Sequence, residues 1–380
     1  MGDARDEMRS GESLEISATG RGPAGVPLEA AAREAWRRLS DDLHARGGDV
    51  RDIAVERIFV ADPGAIETVL AARAEAYRVA GVARPPIASI VVQPPAAPGI
   101  PFDVLAHALP APGSAAPRRI EGLPTGVEGM ESHAGGARRI VLTGITGGEP
   151  SDRLDFEAQA ARLFARASSC LMREGIAFRQ VARTWIFLAA IDRDYAALNR
   201  ARRAFFEASD VRPAPASTGI GGRPAADGRL VALDLIAFAG LPSDAMHPLS
   251  APTMNEAPSY GSDFSRGFEV RLADRRLLFV SGTASIDRRG EVLHPGDIEA
   301  QADRMLQNVD RLLHAAGAGF DRLTHAVTYV KRAEDAPAVA AASARAGFPD
   351  DLPHVVCVAE VCRAEWLCEM EAYAVLPAGP

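Results

Sequence analysis

Long apolar runs are missing from this 380-residue chain, and none approaches the roughly 18 residues that cross a bilayer. The opening residues, Met1-Gly2-Asp3-Ala4-Arg5-Asp6-Glu7, are acidic and lack an apolar core, so no secretory signal is expected in them. Cysteine is scarce. Cys170, Cys357, Cys362 and Cys368 form no CxxC pair and have no companion histidine spacing, which argues against a zinc site and a disulfide framework. Positive charge is not in excess. A net charge of -8 argues against a general nucleic-acid surface and an anionic membrane patch, yet leaves room for a local basic pocket around a small anion. The glycine-rich stretches 20–25 and 144–148 lack a P-loop lysine, and no dinucleotide fingerprint or metal-ligand set stands out. A reduced, cytoplasmic protein without metal or cofactor is the expectation, acting on a small molecule rather than on nucleic acid or membrane.

What is present is an ordinary soluble composition, 47% apolar and 24% charged, on a chain long enough for two or three domains. An internal repeat organises it. Ile298, Ala302, Met305, Leu306, Val309, Leu312 and Leu313 have the spacing of one apolar helix face. The pattern returns as Phe156, Ala160, Leu163, Phe164, Ala167, Cys170 and Leu171, and more weakly as Leu28, Ala32, Ala35, Trp36, Leu39, Asp42 and Leu43. Each helix meets a glycine in register, Gly47, Gly175 or Gly317, as a C-cap does. Strands are predicted next at 55–60, 183–188 and 325–330, then helices at 65–80, 195–208 and 336–346, then closing strands at 102–108, 233–239 and 368–374. Leading strands at 139–143 and 277–281 precede the second and third copies, and the first copy has little room for one.

Each copy therefore reads as an α+β unit with helices on one face of a mixed sheet. Pro/Gly-rich joints near 109–118 and 241–258 divide the chain into a tail (1–25, with a short strand at 14–18), a truncated first unit (26–112), a second (113–245) and a third (246–380). Three copies of one small domain can close around a pseudo-threefold axis within a monomer.

The closing strands carry a carboxylate in one register, Asp103, Asp234 and Glu369. The next position on that face is Leu105, Ile236 and Glu371, so only the third copy has two. Two carboxylates on one face are either a solvated edge or a costly burial that serves acid/base chemistry.

The unit resembles the YjgF/Rid family, also described as chorismate-mutase-like: Ser281-Gly282-Thr283-Ala284 is similar to its first-hairpin glycine block and Glu369-Met370-Glu371-Ala372 to its closing carboxylate strand. The deaminase branch has an arginine fifteen residues before that first glutamate, where this chain has His354, which disfavours an imine deaminase. The chain is more similar to the chorismatase branch, built from fused units of this kind. Arg183-Thr184-Trp185, the spacing of Tyr195, Asn199 and Arg202, Pro215-Ala216-Ser217-Thr218-Gly219-Ile220-Gly221, Tyr260-Gly261 with Phe264-Ser265-Arg266, His294-Pro295-Gly296-Asp297 and Cys362-Arg363 carry this resemblance in order. Ile186 and Phe187 depart from its Asn and Tyr, and Asp287-Arg288 from its Val-Gly-His.

The resemblance implies cleavage of the enolpyruvyl ether of chorismate, releasing pyruvate, with Glu369 as the general acid in a site between units two and three. It implies that Cys362 goes with 3-hydroxybenzoate as product, where an alanine goes with a dihydroxycyclohexadiene acid. Arg202, Arg183, Tyr195, Thr218, Arg266, Gly282, Thr283 and Ala284 are the implied substrate-binding residues. Each has a plainer reading: a solvated arginine for Arg202, an inter-repeat salt bridge for Arg183, a tight turn at Gly282, a small buried hydrophobe for Cys362. The runner-up functions are a Rid-type imine deaminase or amide hydrolase on a small carboxylate, and a non-catalytic ligand-binding protein.

Overall fold

The computed structural model describes residues 15–110, 116–149 and 151–378. The apolar helix faces read from the repeat do the organising. In α3 of the second unit (Phe156–Arg173), all seven residues of the pattern are buried. In the corresponding α1 (Leu28–Ala45) and α5 (Ile298–Ala315), the first position is half-buried, and Asp42 of α1 instead accepts the Thr19 N–H at 3.0 Å. Asp155 and Asp297 cap the second and third of these helices by accepting the N–H of Ala158 and Ala300. Each helix ends on the expected glycine, with φ of 85° at Gly47, 72° at Gly175 and 74° at Gly317, a conformation that costs glycine nothing.

The second unit runs β6 (Glu128–Ala134), β7 (Ala137–Thr146), α3, β8 (Val181–Leu188), α4 (Ile191–Ala208), β9 (Ala216–Gly221) and β11 (Val231–Ala239). The third repeats it as β13 (Gly267–Arg271), β14 (Arg275–Ala284), α5, β15 (Leu323–Val330), α6 (Ala336–Arg345), β16 (His354–Val358) and β17 (Cys368–Pro377). The first has one leading strand, β1 (Ile16–Arg21), followed by α1, β2 (Ile53–Val60), α2 (Ile66–Val79), β3 (Ile87–Val92) and β4 (Phe102–Ala108). Short strands β5 (Arg118–Arg119), β10 (Arg223–Pro224) and β12 (Met246–Leu249) extend the sheet margins. Segment 1–25 was expected to be mostly tail. Residues 1–14 of it lie outside the described residues, but Ile16–Arg21 pair along the whole of β4 and complete the first sheet. Helix α4 begins at Ile191, four residues before the expected start.

The three sheets run β1-β4-β2-β3-β10, β5-β6-β7-β11-β8-β9 and β12-β13-β14-β17-β15-β16. In each the closing strand is central, and its neighbour runs parallel to the last-but-one strand through a helical crossover. Helices cover one face of every sheet. The other faces meet one another, and a single apolar cluster joins Ala54 and Ile87 of the first unit, Ile236 and Phe238 of the second, and Phe279 and Tyr373 of the third. The α+β architecture is therefore three Rid-like units packed as a pseudo-trimer. Among the described residues, no helix is long and apolar enough to cross a membrane.

Candidate active site

Strand β17 lies between β14 and β15, so the solvated-edge reading of its carboxylates fails. Glu369 and Glu371 are 4% and 3% exposed. They differ in every other respect. Glu371 accepts Arg57 Nη1 at 2.5 Å, Arg183 Nη2 at 2.7 Å and Trp185 Nε1 at 2.8 Å, so one carboxylate gathers arginines from units one and two. Burial pushes the Glu371 carboxyl up, but the charges of Arg57 and Arg183 and hydrogen bonds from Thr218 and Arg57 outweigh it and hold the group at about 2. The Trp185 ring is close to both guanidiniums, 4.9 Å from that of Arg57 and 4.7 Å from that of Arg183.

Glu369 accepts no hydrogen bond from any of the described residues. Burial, and then the negative charge of Glu371, push its carboxyl up to about 8, against the pull of Arg266 and Arg183. The space for it comes from a break in the β14–β17 ladder between Val280 and Thr283. Gly282 sits in that break, and a β-carbon there would collide with the Glu369 carboxylate. Gly282 is needed for this close approach rather than for a tight turn. Its N–H donates to Thr218 Oγ1 at 3.0 Å, so it is not aimed at a ligand. Thr283 and Ala284 are ladder residues opposite Met370 and Glu369, and the Thr283 hydroxyl donates to Ser281 O at 2.8 Å. Gly282, Thr283 and Ala284, expected to bind substrate, thus turn these groups to the protein's own residues.

The second unit supplies the facing wall. Tyr195, Asn199 and Arg202 recur at helix spacing on α4 and share a face. Arg202 is 2% exposed, donates to Asn199 Oδ1 at 2.5 Å, and lies 5.6 Å from the Phe264 ring. It makes no ion pair with a described carboxylate, so the solvated-arginine reading is wrong for it. Arg266 approaches the same ring at 5.5 Å and is held by Asn255, through its carbonyl at 2.8 Å and its side chain at 3.1 Å. Two buried guanidiniums thus approach one aromatic ring. The Tyr195 hydroxyl donates to Cys362 Sγ and lies 3.4 Å from Ser262 Oγ. Burial, reinforced by the charge of Glu369, pushes the Cys362 thiol up to about 12. Cys362 is therefore a neutral wall between Tyr195 and Glu369, and not a nucleophile.

Arg183 and Thr218 answer differently from the expectation of substrate contact. Arg183 pairs with Glu371 and also donates to Thr218 at 2.5 Å, while Thr218 bonds onward to Glu371. Both buttress Glu371, and Arg183 forms the inter-repeat salt bridge that was its plainer reading. Arg57 was missed altogether. Its signal was available: it faces Leu105 across the ladder as Arg183 faces Ile236, whereas the third copy has Val327 facing Glu371.

The two carboxylates equivalent to Glu369 are engaged. Asp103 is bound through both oxygens by Arg21 at 2.7 and 2.9 Å. Asp234 accepts the Gly144 N–H at 2.8 Å and the Ser89 hydroxyl. His354, in the position of the deaminase arginine, has its pKa lowered to about 4 by burial and bonds to Thr328 Oγ1 at 2.8 Å.

Comparison with known proteins places this geometry. Residues 254–376, essentially the third unit, match the family described as Endoribonuclease L-PSP. The chain is 30% identical over 224 residues to a 3-hydroxybenzoate synthase of Streptomyces hygroscopicus, 52% of this chain and 64% of the relative. It is 29% identical over 82 residues to the 3-aminoacrylate deaminase RutC of Acinetobacter baylyi, 22% of this chain and 64% of that protein. The chain thus spans just under two thirds of the length of these curated relatives. A crystal structure of chorismatase superposes with a TM-score of 0.64 over 95% of this chain and 98% of the other, at 17% identity. The chain has the fold of that chorismatase over nearly its whole length, with a third unit similar to the Endoribonuclease L-PSP family.

Proposed function

We propose that the protein cleaves the enolpyruvyl ether of chorismate and releases pyruvate, with 3-hydroxybenzoate as the main aromatic product. One observation carries the reading. Of three carboxylates in one register, Glu369 alone accepts no hydrogen bond from the described residues, and the charge of Arg266, one of two buried guanidiniums close to the Phe264 ring, acts on it. A carboxyl that holds its proton to about pH 8 is a general acid at neutral pH. Its proton goes to the methylene carbon of the enol ether, leaving an oxocarbenium-like centre on the carbon that carries the ether oxygen. The bond from that oxygen to the ring then breaks with its electron pair going to the oxygen, which becomes the keto oxygen of pyruvate. The neighbouring ring hydroxyl oxygen bonds to the carbon left behind and gives up its proton to the Glu369 carboxylate. The resulting epoxide opens at the carbon that first held the hydroxyl, and loss of the hydrogen from the carbon that now holds the oxygen makes the ring aromatic as 3-hydroxybenzoate, with every atom of chorismate in one of the two products. Arg202 and Arg266 supply charge for the substrate carboxylates. The similarity to a 3-hydroxybenzoate synthase supports the substrate, and Cys362 beside Glu369 supports the product. The deaminase reading has less support, because the arginine position holds a half-buried His354 whose pKa is lowered to about 4, so it is neutral at pH 7.

The test is direct. The protein is mixed with chorismate, pyruvate is followed by a coupled assay, and the aromatic products are separated by chromatography. Pyruvate and 3-hydroxybenzoate in equal amounts are expected. No pyruvate at high enzyme concentration would overturn the proposal.

A further inference from the structure

The buried arginines are held in three different ways. Arg57 and Arg183 pair with Glu371, Arg139 and Arg275 with Glu15, and Arg73 with Glu56. Arg229 is held by the main-chain carbonyls of Asp152 and Asp227. Arg202 and Arg266, the two beside Phe264, are held by asparagines. A carboxylate is the usual answer to a buried guanidinium, because the pair offsets the hydration that both lose. An amide oxygen accepts the same N–H bond and adds no charge.

Both asparagines are placed for this task. Asn199 lies three residues before Arg202 on α4, so helix spacing brings its Oδ1 to the guanidinium, at 2.5 Å. Asn255 comes from the connection between β12 and β13. Its carbonyl accepts Arg266 Nε at 2.8 Å and its Oδ1 accepts Nη2 at 3.1 Å, so one residue takes an edge of the fork. The amide cannot turn over without losing its other bond, since Nδ2 donates to Ser259 Oγ at 2.7 Å. Gly290, with φ of 81°, presses on the same amide, and a β-carbon there would collide with it. The Gly290 carbonyl accepts Arg363 Nη1 at 2.7 Å, which ties this corner to the residue after Cys362. Glu256, next to Asn255, is exposed and forms no ion pair with Arg266.

We propose that Asn199 and Asn255 are positioning residues, neutral clamps that fix Arg202 and Arg266 without setting a negative charge against them, so that their charge serves a substrate with two carboxylates. This deepens the reading of the site given above and rests on it for the substrate.

Exchange of asparagine for aspartate tests the clamps, because it keeps the shape and the accepting oxygen and adds only charge. A purely structural asparagine predicts that Asn199→Asp and Asn255→Asp hold the arginines at least as well and leave binding unchanged. Neutral clamps predict that each variant raises KM for chorismate by roughly 10–100-fold, while the melting temperature stays at or above that of the parent. Benzene-1,3-dicarboxylate, titrated by calorimetry, gives a readout without turnover, and its Kd should rise by a similar factor. A parent that releases no pyruvate, with dicarboxylate affinity that falls in the Asp variants, would end the chorismate reading and support the clamps. Pyruvate release with unchanged KM and Kd in both variants would overturn the clamps and leave the reaction standing. A parent that binds neither compound would overturn both. Should an Asp variant fail to fold, Asn199→Ala and Asn255→Ala decide. They remove the clamp and leave the charge, so KM should rise about three- to tenfold with kcat nearly kept, and an unchanged KM would overturn the proposal.

Discussion

Arg57 and Glu371 stand 314 residues apart in the chain and meet in a buried ion pair at 2.5 Å. The pair is a consequence of unequal copies. Units one and two each carry an arginine facing an apolar residue of the closing strand, and unit three carries the reverse, a valine facing a glutamate. Three identical arginines would repel at the axis, and three apolar residues would carry no polar register. The fused chain places two cations and one anion there instead, an arrangement that a symmetric homotrimer cannot reach. Glu371 thereby locks the axis and, as a fixed negative charge two residues along the strand, also helps keep the proton on Glu369.

Glu371→Gln tests the lock. It leaves Arg57 and Arg183 buried without their carboxylate, and breaking a buried pair of this kind costs about 3–5 kcal/mol. Denaturant melts should show that loss at pH 7. The sign with pH follows from the low carboxyl value. Glu371 titrates at about 2 when folded and at about 4.3 when unfolded. Its contribution is complete above the unfolded value and disappears as pH falls toward 2. The wild-type advantage over Glu371→Gln should therefore shrink in that window, and a loss below about 1 kcal/mol at pH 7 would remove Glu371 from this role.

Glu369 should impose an alkaline limb on catalysis. The acid form is the active one, so kcat/KM for pyruvate release should be level below about 8 and fall roughly tenfold per pH unit above it. Glu369→Gln should abolish turnover, whereas Asp103→Asn should not, since Asp103 is clamped by Arg21 in another cleft. Stability supplies an independent readout. The folded value lies above the unfolded one, so the protonated form adds stability that is lost as pH rises through 8. The Gln variant should be relatively more stable than wild type at pH 9 than at pH 4. Equal loss of activity in Glu369→Gln and Asp103→Asn would contradict a single active cleft.

Much of this was legible beforehand for a physical reason. The repeat is written in local signals, an apolar helix face, a capping glycine and an alternating strand, and these depend on neighbours three, four or two residues away. Hence the register of Asp103, Asp234 and Glu369 could be read from the chain alone. What could not be read was which polar group answers which. Arg183 carries the same sequence signal whether it meets a ligand or Glu371, and Gly282 the same whether it turns or makes room. Arg57 lies in the weakest copy, and its partner is in another unit. The strand Ile16–Arg21 was undervalued because it has few apolar residues and its polar face is covered only after the units assemble, where Ser17 meets His325 of the third unit at 2.8 Å.

Arg202 should govern substrate affinity more than the chemical step. A charge-assisted bidentate contact contributes about 1.5–3 kcal/mol. Arg202→Ala should therefore raise KM by roughly 10–100-fold with a smaller change in kcat. Arg202→Lys keeps the charge but loses the fork and the stacking on Phe264, so it should recover only part of the affinity. Steady-state kinetics with chorismate separates the two effects. An unchanged KM in Arg202→Ala would show that its burial beside Phe264 is structural.

Cys362 is the residue by which the outcome of the reaction can be changed without stopping it. The thiol stays protonated far above neutral pH, so it cannot act as a thiolate, and its contribution is shape and weak hydrogen bonding between Tyr195 and Glu369. Removing the sulfur leaves space of about one heavy atom beside the general acid, enough to admit or reposition a water. Cys362→Ala should then retain pyruvate release within about tenfold and move the product mixture from 3-hydroxybenzoate toward the dihydroxycyclohexadiene acid. Chromatography of the products at equal pyruvate yield checks this. The ratio is the informative quantity because a general defect in folding or in Glu369 would slow both products together, whereas a change in the space beside Glu369 changes their proportion. An unaltered ratio would mean that the product is decided by another residue of the wall.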